Sequence, residues 1–381
     1  MPVISQLAVS GYRSLRDIKL LLAPLTIITG VNGTGKSSIY RALRLLADVA
    51  QGRLVNSLAR EGGLHSTLWA GPERISQDMR TGKVPIQGTV RSGQPAPWFL
   101  RRRSGLCHRS GLALARVGLC FRPRDQGRGN VDGRRSWPVE PVRGTARPDD
   151  PCPAGNDGRM ADGKPPPLRQ HVTHSSDRED GLEMLLMRER MRNWRFYDNL
   201  RTDVDAPARK AQIVTYTPAL ANDGADLAAA IATIHAIGDG EAFNDAIEDA
   251  FPGSTVGSGE DGSIATRQRG LLRSLRASEL SDGTLRYIML CAALLAPSKP
   301  EILILNEPES SLHPTLLDPL ARLLTTAVKT CQIVVVSHSE RLLTALAGDP
   351  DTRTYRLEKD CGETFLHSDE DHYLRWVWPS R

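Results

Sequence analysis

Apolar residues change period several times along the chain, and each change marks an element. Residues 3 to 9 (VISQLAV) and 18 to 29 (IKLLLAPLTIIT) predict strands, the second cut off by Gly30. After Gly35 the period becomes helical, with Ile39, Leu43, Leu46 and Ala47 on one face and polar residues between them. Strand, glycine loop, helix is the opening of a doubly wound α/β unit. Further on, Leu182, Leu185, Leu186, Trp194 and Phe196 predict an amphipathic helix. Asp226 is placed to cap a second helix, LAAAIATIHAIG, and a third, EAFNDAIEDAF, stops at Pro252. Two strands and a turn are expected within GSTVGSGEDGSIATRQR. Buried parallel strands are predicted at Ile302–Leu305 and Gln332–Val336. No heptad pattern is sustained long enough for a long coiled coil, and no internal repeat is visible.

Composition changes this picture in one place. Residues 91 to 170 hold 15 Arg, one Lys, 11 Pro and 11 Gly, but no Ile and no Tyr. Against seven acidic residues this window carries an excess of +9, so the rest of the chain sums to about −4 although the whole is +5. The overall basic balance is therefore no argument for nucleic acid. Such a segment offers too little apolar surface to offset its ordering entropy, and no packing is expected from about 91 to 175. Two origins stay open: a natural disordered insert, or GC-rich coding DNA read out of frame, with ordinary sequence resuming at GLEMLLMRERMRNWRFYDNLR.

No apolar run reaches bilayer length, and MPVISQLAVSGYRSL lacks the charged and apolar regions of a signal peptide. The six cysteines (107, 120, 152, 291, 331, 361) form no CxxC pair. A cytoplasmic protein with reduced thiols is expected, without a membrane partner. His171 and His174 have no Cys or acidic partner at ligand spacing, so zinc is not expected there.

The chemistry lies in four segments. Gly30-Val31-Asn32-Gly33-Thr34-Gly35-Lys36-Ser37 fits G-x-x-x-x-G-K-[ST] at every required position, between a strand and a helix. Gly30, Gly33 and Gly35 let backbone N–H groups turn inward around a β-phosphate, and the new helix aims its N-terminus at that charge. Lys36 can bridge β- and γ-phosphates, and the Ser37 hydroxyl can ligate Mg²⁺. The binding set here is Gly30, Asn32, Gly33, Gly35, Lys36, Ser37 and Ser38. ELSDGT (279–284) opens the helix LRYIMLCAALLA, with Ser281 or Asp282 as N-cap and Gly283 open to phosphate. In ILILNEPE (302–309) polar residues emerge at the carboxyl end of a buried strand, where ligands sit in open α/β sheets. Glu307 is placed there to polarise a water. QIVVVSHS (332–339) brings His338 to another strand end, where a γ-phosphate sensor is expected.

GVNGTGKSS, ELSDGT, ILILNEPESSLHP and VVVSHS resemble the Walker A, signature, Walker B with D-loop, and H-loop of ABC-type ATPases. The chain resembles RecF-like ATPases, related to SMC proteins and often labelled AAA domains. QLAVSGYRSLRDIKL resembles their first strand pair, with its N-F-R-S-like turn. The likeness covers residues 1 to about 75 and 265 to 345, extends more weakly over 182 to 256, and is absent from about 91 to 175.

The resemblance implies an α/β P-loop NTPase fold with a helical arm and four segments: 1–90, 91–180, 181–262 and 263–381. Those are the Walker A half, the low-complexity segment, an arm or lid, and the half with signature, Walker B and H-loop. It further implies Glu307 as catalytic carboxylate, His338 as sensor, and ATP with Mg²⁺ as cofactors. Ser281 and Gly283 would contact ATP held by a second subunit in a head-to-tail homodimer, with Ser311 and His313 at the interface. DNA is the implied partner, in recombination, repair or phage defence. Asn306 replaces the usual Walker B aspartate and keeps only an amide for a magnesium-bound water. The Q-loop is unassigned, with Gln77 and Gln87 as candidates. The alternatives are the ATP-binding subunit of a transporter, and a protein that has lost activity through damage to its middle segment.

Overall fold

The computed structural model describes residues 4–69, 71, 80, 116–121, 185, 188–259 and 261–367. His171, His174, Gln77 and Gln87 lie outside them, as does the separate unit 123–169. The chain opens with β1 (Ile4–Tyr12) paired antiparallel to β2 (Leu15–Leu21), followed by β3 (Leu25–Gly30). The continuous strand expected over 18–29 is therefore two strands in different sheets. Pro24 has no N–H to donate, and the Ala23 N–H bonds the Thr26 hydroxyl at 3.0 Å, so the ladder breaks there.

Three helices follow: α1 (Lys36–Ala50), α2 (Leu54–Arg60) and α3 (Leu64–Thr67). Next comes β4 (Arg116–Phe121), which pairs antiparallel with β1 and corrects the expectation of no packing for these six residues. Val117, Leu119 and Phe121 give this stretch the strand period its neighbours lack. The rest of the low-complexity segment lies outside the described residues.

A second correction falls at β5 (Arg195–Tyr197), because the helix expected through Phe196 ends before it. Phe196 and Tyr197 are buried on opposite faces of the sheet, which a strand achieves and a helix does not. The remaining elements are α4 (Leu227–Ile237), α5 (Gly240–Ala250), β6 (Ser254–Ser258), β7 (Ile264–Gln268), β8 (Leu275–Arg276), α6 (Asp282–Leu294), β9 (Ile302–Asn306), α7 (Leu317–Ala327), β10 (Gln332–Val336), α8 (Glu340–Leu346), β11 (Thr352–Asp360) and β12 (Glu363–His367). Asp226 stands before α4, but its carboxylate accepts the Ala221 N–H (2.8 Å) and caps no helix donor.

The principal sheet runs β12-β11-β3-β10-β9-β5, parallel except for its β12 edge. Its central strands are buried on both faces. Ile333, Val335, Leu303 and Leu305 enter the core with α4 to α8, while Val334, Val336, Ile302 and Ile304 enter the core with α1, β1 and β2. Each fully buried side chain of this kind contributes roughly 1.5–3 kcal/mol, which fixes register and brings the carboxyl ends of β3, β9 and β10 together. Antiparallel β6-β7-β8 forms a further sheet ahead of α6. Among the described residues no helix is long and apolar enough to cross a membrane.

Candidate nucleotide site

The glycine loop joins β3 to α1 in a conformation that needs its glycines. Gly30, Gly33 and Gly35 have φ of 151°, 84° and 104°. A Cβ on Gly30 would lie 2.5 Å from the Leu357 carbonyl, and one on Gly35 would land on the Thr364 hydroxyl, whereas Gly33 meets nothing within 4 Å. Two glycines therefore admit neighbouring chain, and the third serves conformation alone. The Lys36 ammonium folds over the loop and donates to the carbonyls of Gly30 and Val31, the latter at 3.2 Å. Burial lowers the Lys36 pKa, while Glu307 and Glu309 pull it up. The lysine thus feels both carboxylates of the distant N-E-P-E segment.

A cavity of about 340 Å³ lies on this loop, lined by Arg13, Ser14, Asn32, Gly33, Gly35, Lys36, Ser37, Ser38, Glu307 and Lys359. The predicted phosphate residues and the predicted catalytic carboxylate thus face one space. Gly30, Asn306, His338, Ser281 and Gly283 do not line it.

Glu307 has φ 48°, a left-handed conformation that costs a non-glycine residue about 1 kcal/mol or more. Three hydrogen bonds hold it there: its N–H donates to the Val336 carbonyl (2.7 Å), and its carbonyl accepts from the Arg286 guanidinium (3.1 Å) and the Ser310 N–H (3.1 Å). Arg286, on the helix after the signature-like turn, is buried; burial lowers its pKa against the opposing pull of Glu309 and Glu307. Arg13 and Ser311 share the positive φ, at 49° and 63°. Of these, Arg13 and Glu307 line the cavity and Ser311 lies in the loop after Glu307, while Cys361 (φ 47°) turns the β11–β12 hairpin.

Glu309 carries more of the structure than Glu307. Its Oε1 accepts from the Ser337 hydroxyl (2.7 Å) and the His338 N–H (2.9 Å), tying the ends of β9 and β10. His338 Nδ1 stands 3.3 Å from the same oxygen and 3.9 Å from Glu307, so Glu309 orients this imidazole. Asn306 Oδ1 is buried without a hydrogen-bond partner among the described residues. An unsatisfied acceptor directly before the cavity-lining Glu307 suits a magnesium-bound water, and the Ser37 hydroxyl on the cavity wall suits the metal itself.

The signature-like turn is built differently. Ser281 is the N-cap of α6, its hydroxyl accepting the Thr284 N–H at 3.1 Å. A Cβ on Gly283 would stand 2.7 Å from the Ser311 carbonyl, so this glycine admits the loop after Glu307. His313 accepts the Thr315 N–H and caps the short turn before α7.

Arg13, Lys359, Arg286, Glu309 and Thr364 were not singled out from sequence. Arg13 stood in the GYRSL turn and Glu309 in N-E-P-E, so a signal existed for both. Lys359 and Thr364 come from the distant β11–β12 hairpin, where no motif marks them. Thr364 donates to the Thr34 carbonyl (2.7 Å) and meets the Ser14 hydroxyl (2.8 Å), fastening the loop from behind.

Comparison with known proteins agrees with this architecture. Residues 156–344 match the family described as "AAA domain, putative AbiEii toxin, Type IV TA system", and residues 3–64 match "AAA ATPase domain". No curated protein matches the chain. Among solved structures, an SMC head bound to the C-winged helix domain of ScpA aligns over 96% of this chain and 97% of its own, at 13% identity and TM-score 0.50. The SMC head domain from Thermotoga maritima aligns over 97% and 100% (17% identity, TM-score 0.47). That of Pyrococcus furiosus, with an extended coiled coil, aligns over 96% of each chain (13% identity, TM-score 0.48). The phosphate loop lies in one matched stretch and the signature-like turn and N-E-P-E strand in the other, so the chain is similar to AAA ATPase domains in both and shares the P-loop fold of an SMC head.

Proposed function

We propose that the chain binds ATP with Mg²⁺ and hydrolyses it in a head-to-tail homodimer coupled to work on DNA in the cytoplasm. The observation that carries this reading is the shared cavity: Lys36 and Glu307, from opposite ends of the chain, line one space of about 340 Å³. Lys36, with the N–H groups around Gly33 and Gly35, neutralises the β- and γ-phosphates. Glu307, pinned at φ 48°, orients the attacking water and takes up its proton. Ser37 would ligate the metal and Asn306 would hold a water bound to it, and the metal would supply neutralisation of phosphate charge. His338, oriented by Glu309, reports the γ-phosphate. Ser281 and Gly283 stand outside the cavity and complete the site on a second copy. Coupling to DNA rests on fold-level analogy.

The test is Glu307→Gln. Turnover is expected to fall by about 10²–10⁴ with nucleotide binding kept, and ATP is expected to trap a dimer visible by sedimentation. Unchanged turnover removes Glu307 from the mechanism. For DNA, retention of the ATP-bound form should fall along a steep salt slope; retention without one removes the DNA assignment.

A further inference from the structure

Beyond its own cap hydrogen bonds, the Ser281 turn is fastened from outside by Arg209, 71 residues before Leu280. Arg209 ends a short 3₁₀ turn, Pro207–Arg209, and its side chain is only 8% exposed. Its guanidinium spans two pieces of chain. On one side Nε donates to the carbonyls of Thr202 (2.9 Å) and Asp203 (3.2 Å). On the other, Nη1 donates to the carbonyls of Ala277 (2.7 Å) and Leu280 (2.8 Å), while Nη2 pairs with the Asp282 carboxylate at 2.7 Å.

Leu280 directly precedes Ser281, and Asp282 directly follows it. The peptide plane before the cap, through the Leu280 carbonyl, and the Asp282 side chain after it are therefore tied to one rigid fork. The direction of the Ser281 hydroxyl and the start of α6 follow from that plane and that side chain. We infer that Arg209 is the positioning residue that presets the Ser281–Gly283 turn for the nucleotide held by a second copy of this chain. The inference rests on the dimeric reading given above. Arginine is required because the five donors leave a planar group in two directions; a lysine ammonium reaches one side only.

The experiment uses the full chain carrying Glu307→Gln, with Arg209→Lys and Arg209→Met added separately. ADP binding to the monomer is read with a fluorescent analogue, and ATP-driven dimerisation by sedimentation velocity. ADP affinity is expected within about twofold of the parent, while the ATP needed for half-dimerisation rises about tenfold in Arg209→Lys and further in Arg209→Met. Amide exchange over 278–285 should quicken in Arg209→Lys while that of β9 and β10 stays unchanged. Dimerisation at the parent's ATP concentration, or unchanged exchange at 278–285, overturns the assignment. If Arg209→Met does not fold, the lysine variant and its exchange pattern decide alone. A parent that stays monomeric at saturating ATP instead overturns the dimeric reading, and this inference with it.

Discussion

Helices α1 and α6 both begin at glycine-containing turns, and they begin differently. At α1 the N-cap is Gly35, with no side-chain cap and no acidic residue in the first turn. Lysine sits where an anion would balance it, inside a cavity. At α6 the cap is a serine, Asp282 already places a negative charge in the first turn, and Arg209 neutralises that charge in turn. A bare N-terminus with an adjacent ammonium attracts phosphate by itself. A capped one with its dipole partly answered offers only a hydroxyl and a few N–H groups. The first turn is equipped to capture a nucleotide, the second only to recognise one already held.

The sharpest way to break this contrast is Lys36→Ala. It removes the charge from the capturing turn and should weaken ATP binding by about 10²-fold or more, roughly 3 kcal/mol, measured by titration calorimetry. Next is Gly35→Ala, where φ of 104° and the Thr364 hydroxyl both oppose a methyl group. A loss of about 2–3 kcal/mol in stability is expected by denaturant melts, against about 1 kcal/mol for Gly33→Ala, which meets no neighbour. Equal losses at the two positions would mean that the hairpin does not press on the loop. Ser281→Ala should cost about 1 kcal/mol of stability as a lost cap and weaken ATP-driven association, yet leave the ADP affinity of the single subunit alone. The smallest effect concerns Glu279. Its hydrogen bond with Arg273, then that from the Arg276 N–H, holds its pKa near about 2 instead of 4.5. A depressed carboxylate stabilises the fold above its unfolded pKa and loses that contribution as pH falls through the folded value. The melting difference between Glu279→Gln and the parent should therefore be constant near neutrality and close between pH 4.5 and about 2.

Local features were legible where one short stretch of chain carries the reason. Gly30 to Ser37 declares its turn, and Ser281 declares its cap. Ile302–Leu305 and Gln332–Val336 read as buried strands because both faces demand apolar residues. Failures came where a distant partner decides. Pro24 was absorbed into an apolar run, although it marks the passage from one sheet to another. Phe196 reads as the end of the preceding helix because three residues carry no period, and only pairing with β9 makes Arg195–Tyr197 a strand. Arg116–Phe121 was hidden by the composition around it. Lys36 and Glu307 stand in recognisable motifs, whereas Lys359 and Thr364, on strands β11 and β12, and Arg209, at the end of a 3₁₀ turn, belong to segments with no signature. The reason for Gly283 was read as phosphate access, and the structure adds the Ser311 carbonyl, which no local pattern could show.

The place of β3 in the sheet has a consequence for synthesis. Its two neighbours, β10 and β11, leave the ribosome more than three hundred residues after it. A nascent chain that has just released its glycine loop has no parallel partner for the strand beneath it, and Thr364 arrives later still. Such late closure makes folding slow and leaves an apolar edge open to other chains meanwhile. The nucleotide pocket is accordingly unfinished until β10, β11 and Thr364 have followed, long after its defining motif has emerged.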